Sequence, residues 1–125
     1  MNKTSDNYNL ETRTIKFSGD IIIFVSKLPK SNINNPLINQ LIRSATSIGA
    51  NYCEANGASS RKDFKNKIYI CKKEAKETKY WLQLVSTTIS EYKEQGGKLW
   101  QEAQELTLIF SKIILTLEGR SKKTI

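Results

Sequence analysis

The sequence predicts an all-α fold, an up-down-up-down antiparallel four-helix bundle, and three observations carry that expectation. Four segments repeat apolar residues at alternating steps of three and four, the spacing of a helical seam. No stretch alternates apolar and polar residues for long enough to carry a sheet. The breaks between the four segments are short, as antiparallel neighbours in a bundle require. With 125 residues, 38% of them hydrophobic, the chain has room for one domain around one core. The expected layout is a flexible N-terminal tail over 1–9, a bundle over 10–118 and a basic C-terminal tail over 119–125.

The first helix is expected from about Glu11 to Lys27, where Phe17, Ile21, Phe24 and Leu28 share one face and Ile15, Ile22 and Val25 add a further apolar stripe. Pro29 and the polar SNINN run end it. Asn35 then reads as the cap of a second helix, whose first turn accepts Pro36 because no amide donor is needed there. That helix carries Ile38, Leu41, Ala45, Ile48, Tyr52 and Ala55, the seam of a left-handed bundle. Glycine inside a helix costs about 1 kcal/mol relative to alanine, so Gly49, among small neighbours, reads as a place where another backbone comes close.

Gly57 stops the second helix, and Ser60 followed by Asp63 resembles a capping box with aspartate in place of glutamate. The third seam is Phe64, Ile68, Cys71, Ala75, Thr78, Leu82, Val85 and Ile89, which implies about 30 residues and a length of about 45 Å. Gly96 and Gly97 read as the break before the fourth helix. Leu99, Ala103, Leu106, Phe110, Ile113 and Leu117 form its seam, and Gly119 reads as its close.

The absence of histidine removes the commonest general base and the commonest metal ligand together. No base and no glycine-rich phosphate loop accompanies a Ser, Lys or Cys nucleophile. Glu54, Glu74 and Glu77 lack the histidine, three residues after a glutamate, that completes a di-iron bundle site. The chain therefore reads as non-enzymatic, with no cofactor and no metal. Cys53 and Cys71 lie in helical patterns and are expected to pack rather than react. With no secretory leader and no run of about 18 apolar residues, the expected setting is the reducing cytoplasm, away from membranes.

Twenty Lys and Arg against twelve Asp and Glu give a net charge of +8 and a pI near 9.5, which suits acidic partners such as RNA or DNA. Residues 61–79 hold eight basic and three acidic side chains, well over half of that excess. At about 100° per residue, Arg61, Lys65, Lys72, Lys76 and Lys79 share one flank of the third helix, with Lys62, Tyr69, Lys73 and Tyr80 beside them. Such a ridge could follow phosphates and would weaken steeply with salt; it would read backbone and shape rather than bases. The bland alternative is a solubilising flank with a Lys73–Glu77 pair four residues apart.

Two further groups point to assembly. Ile70, Trp81 and Leu84 lie away from the third seam and would form an exposed apolar patch unless a second copy covered them. Arg43, Ser47, Asn51 and Glu54 stand opposite the second seam, and Glu74 and Glu77 stand beside Trp81. Arg43 and Glu54 are about 16 Å apart along one helix, so each must find another helix, another subunit or water. Charged pairs of this kind set register and partner choice more than stability.

The run RSATSIGANYCEA followed by SSRKDFKNKIYICKKEAKETKYWL resembles the bacterial 23S rRNA intervening-sequence protein family of four-helix bundles. The matching elements are Arg43, Ser47 to Asn51, Glu54, Asp63 and Phe64, Lys73 to Thr78, and Tyr80 to Leu82; beyond them the fourth helix matches only in pattern. The resemblance implies ring-like homo-oligomers, pentamers favoured, and no established enzymatic activity. A relative, the accessory protein of diversity-generating retroelements, implies RNA or DNA and a reverse transcriptase as partners. Two readings of the chain remain: a nucleic-acid-binding oligomer, and an oligomeric scaffold for another protein, such as a reverse transcriptase, whose lysines only keep it in solution.

Overall fold

The computed structural model describes residues 5–123, with side chains from 10 to 119. The tails expected at 1–9 and 119–125 lie for the most part outside those side chains. Four α-helices make up the chain, α1 (Ser5–Ser26), α2 (Asn34–Asn56), α3 (Arg61–Thr88) and α4 (Lys93–Lys123), with one 3-10 turn at Ser90–Tyr92 and no strand among the described residues. They form a four-helix bundle.

The seams predicted for α1 and α2 are buried throughout, from Phe17 to Leu28 and from Ile38 to Ala55. The α3 seam is buried from Ile68 to Ile89, with Phe64 packed at its edge. Thr78 can enter this core because its hydroxyl donates to the Glu74 carbonyl at 2.7 Å and lies within hydrogen-bond distance, 3.0 Å, of the Ser44 hydroxyl, so the buried hydroxyl is not left without a bond. In α4 the buried position after Phe110 is Ile114, while the predicted Ile113 is half-buried. The stripe read on α1 divides: Val25 is buried, but Ile15 and Ile22 are 61% and 50% exposed.

Contacts between successive helices run in opposite senses. Thr14 lies against Gly49 while Glu11 meets Cys53. Ser44 meets Thr78 while Glu54 meets Lys67. Lys79 meets Gln104 while Tyr69 meets Glu118. α1 and α4 are joined by a two-pronged pair: Arg13 Nε donates to Glu102 Oε2 at 2.6 Å and its Nη2 to Oε1 at 2.8 Å, with Glu105 at 2.7 Å.

Gly49 does what its neighbours predict. A Cβ there would come within 3.2 Å of Thr14 Cβ and Oγ1, so its absence sets how closely α1 and α2 approach. Gly57 follows the end of α2, and Ser60 caps α3 by accepting the Asp63 amide at 3.0 Å.

Several boundaries differ from the sequence reading. Asn35 lies inside the first turn of α2 rather than capping it. Ile33 stands at the N-cap with no side-chain bond, and Ser31, two residues earlier, accepts the Asn34 amide with its Oγ at 2.9 Å while its own amide donates to Asn35 Oδ1 at 3.3 Å. Gly96 and Gly97 do not interrupt the chain: the break falls at Ile89 and the following 3-10 turn, and α4 runs through both glycines. At Gly96 the reason is packing, since a Cβ would collide with Ser86 Oγ of α3. Gly119 does not close α4, which continues to Lys123. Cys53 is exposed rather than packed, its Sγ 3.5 Å from Glu11 Oε2, whereas Cys71 is buried.

Candidate nucleic-acid interface

α3 presents its basic residues, apart from Lys67, which turns to Glu54 of α2, on the flank that faces α4 and on the solvent side beyond it. Packing divides the predicted ridge into two classes. Arg61 is drawn onto α4, where its Nη2 donates to the Leu117 carbonyl at 2.9 Å. Lys79 is drawn in likewise, bonding Gln104 Oε1 and lying 5.3 Å from the centre of the Trp100 ring. Lys62, Lys65, Lys72, Lys73 and Lys76 take part in no ion pair among the described residues.

Lys62, Lys73 and Lys76 are exposed, and Lys65 and Lys72 lay their stems along the surface as half-buried residues. Shallow depressions run between them, one of about 210 Å³ at Arg61, Lys62 and Lys65 and one of about 300 Å³ at Tyr69, Lys72, Lys73 and Lys76. The predicted phenols behave differently from each other. Tyr69 donates its hydroxyl to Glu118, and Tyr80 is 60% exposed with its ring edge against Trp81. The Lys73–Glu77 pair does not form, because Glu77 is engaged by Arg43.

The polar constellation is satisfied within one chain. Arg43 of α2 reaches both Glu74, at 3.3 Å, and Glu77 of α3. Trp81 donates its indole N–H to Glu77 Oε2 at 3.0 Å. That hydrogen bond, followed by the Arg43 bond and charge, holds the Glu77 carboxyl below its ordinary pKa against the opposing effect of burial. Glu54 pairs with Lys67 at 2.6 Å. Ser47 and Asn51 bond back to their own helix, to the carbonyls of Arg43 and Ser47. The carboxylates are thus divided between two cations rather than gathered around one point. Ile70, Trp81 and Leu84 are half-buried. The most exposed large apolar side chains lie elsewhere, among them Ile15 and Ile22 on α1 and Leu108 and Leu115 on α4, each pair seven residues apart.

Burial pushes the Cys71 thiol up to about 12, and burial followed by the bond to Glu11 raises that of Cys53. Neither is an activated nucleophile. Sequence reasoning missed Trp100, Gln104 and the Arg13–Glu102 pair. The first two stand off the α4 seam and gain meaning only from what α3 places opposite them.

The family model described as 23S rRNA-intervening sequence protein matches residues 7–114. Among solved structures, the chain is similar to a crystal structure of a protein of unknown function from the S23 ribosomal protein family of Bacteroides thetaiotaomicron VPI-5482. The two share 34% identity over 86% of this chain and 96% of that one, with a TM-score of 0.79. No curated protein matches the chain.

Proposed function

The chain belongs to the 23S rRNA-intervening sequence protein family, and from that premise we propose that it is a non-enzymatic, homo-oligomeric bundle that holds nucleic acid along the lysine ridge of α3. The observation that carries this reading is the run of five lysines, Lys62, Lys65, Lys72, Lys73 and Lys76, none of them in an ion pair among the described residues. Over about 21 Å of helix these ammonium groups repel one another, and a polyanion laid along them relieves that repulsion and releases its own counterions.

The opposed contacts of successive helices support an up-down-up-down course. Self-association is supported by the exposed Ile15 and Ile22, which single chains leave in water; the preference for a ring of five copies comes from the family resemblance alone. No helix among the described residues is long and apolar enough to cross a membrane, and the working setting in this reading is the cytoplasm. The scaffold reading is weakened because Arg43 and Glu54, its recognition charges, already have partners on α3.

Fluorescence anisotropy with a labelled RNA at low salt tests the reading. Reversal of Lys65, Lys72 and Lys76 to glutamate should abolish binding while circular dichroism stays helical. Affinity that survives the triple reversal overturns it.

A further inference from the structure

Beyond Lys79 the same flank of α3 continues into Gln83, four residues on, and Ser86, seven on. There it meets the first turns of α4 in an open groove of about 590 Å³, within the size range of small-molecule sites. Trp100, Lys93, Gln83 and Gln101 are among the residues that line it. Neither amide has a side-chain hydrogen bond among the described residues. Each therefore offers a donor and an acceptor to whatever enters.

The tandem glycines have separate explanations here. A Cβ at Gly96 would press on the Ser86 hydroxyl, but one at Gly97 would meet nothing within 4 Å. Glycine is disfavoured in a helix interior relative to alanine, and no packing within the chain explains one at Gly97. Gly97 lies in the lining of the groove, where a side chain would take up open space.

We propose that this groove seats one base of an unpaired strand whose phosphates lie on the α3 ridge. The inference rests on the nucleic-acid reading above and narrows it to single-stranded RNA or DNA. Charge continuity argues for this occupant. Lys79, held by Gln104 and the Trp100 ring, lies between the ridge and the groove, and Lys93 adds a second positive charge to the groove lining. An aromatic wall suits the face of a base and the amides suit its edge, whereas a base held in a duplex cannot leave its stack without unpairing.

The test uses the full chain with fluorescent oligonucleotides of about 12 nucleotides, as single-stranded RNA, single-stranded DNA and duplex. Gly97→Leu adds a side chain to the groove lining from a position where its Cβ meets no protein atom within 4 Å, and its melting temperature shows whether the fold persists. It should lower affinity for a single strand about tenfold, the scale of losing one stacked base, and leave duplex affinity unchanged. In a Trp81→Phe background, single strands should quench Trp100 fluorescence and duplex should not; the RNA and DNA arms show whether the sugar hydroxyl contributes. Equal loss for both strand forms, or no loss for either, overturns the groove assignment while ridge binding stands. No binding of any oligonucleotide overturns both.

Discussion

Arg43 of α2 and Glu77 of α3 form an ion pair across the bundle, and the carboxylate oxygen that meets the guanidinium also accepts the Trp81 indole N–H. Glu74, only 8% exposed, shares the same guanidinium. One cation thereby fixes the register of α2 against α3.

Arg43→Met should destabilise the fold by about 1–3 kcal/mol, because it leaves the Glu74 carboxylate buried without its ion-pair partner. Urea titration measures it. A loss below about 0.5 kcal/mol would show that water replaces the guanidinium.

Glu77 gives this network a pH dependence. Its folded pKa is lowered, so its contribution is fully present above the unfolded value of about 4.3 and is lost as pH falls through the folded value. Glu77→Gln should cost stability at neutral pH and flatten the fall in stability below about pH 4.3. An acid limb of unchanged steepness would contradict the assignment.

The two close-approach glycines should answer differently to substitution. Gly49→Leu presses on Thr14, which is fully buried, and overpacking of this kind costs about 1–3 kcal/mol. At Gly96 the obstacle is one hydroxyl, so Gly96→Ala combined with Ser86→Ala should match or exceed the wild-type melting temperature through the gain in helix propensity. Equal destabilisation of both variants would contradict this packing.

These glycines also mark how far the chain can be read by eye. The seams of α2 and α3 are legible because every third or fourth residue is apolar and each seam position meets the same core. Glycine is ambiguous: it permits close approach and it breaks helices, and only the facing helix decides which. Gly49 sits among small residues that reveal its role, whereas the tandem Gly96–Gly97 looks like a break. The true break at Ile89 and Ser90 carries neither glycine nor proline. The lysine ridge is visible as composition, but the loss of Arg61 and Lys79 to α4 is not, because Leu117 and Gln104 are far away in sequence. Arg13 and Glu102, 89 residues apart, give no local signal either.

Thiol labelling separates the two cysteines. One thiol, Cys53, should react in the native protein, and slowly at neutral pH because burial and Glu11 keep it protonated. Cys71 should react only in denaturant. Two thiols titrating in the native state would contradict the burial of Cys71.

Assembly is read by light scattering at micromolar concentration. The wild-type mass should exceed that of one chain, and Ile15→Lys with Ile22→Lys should lower it. Trp81→Asp should lower it too if the α3 patch shares the interface. A wild-type mass of one chain would remove self-association from the account.

The salt dependence of RNA affinity tests the lysine ridge most directly. If five lysines neutralise phosphates of a single strand, log affinity against log salt should fall with a slope of about −3.5. Lys72→Gln with Lys76→Gln should then reduce its magnitude by about 1.4. A slope near zero, or one unchanged by losing both lysines, would contradict binding at the ridge.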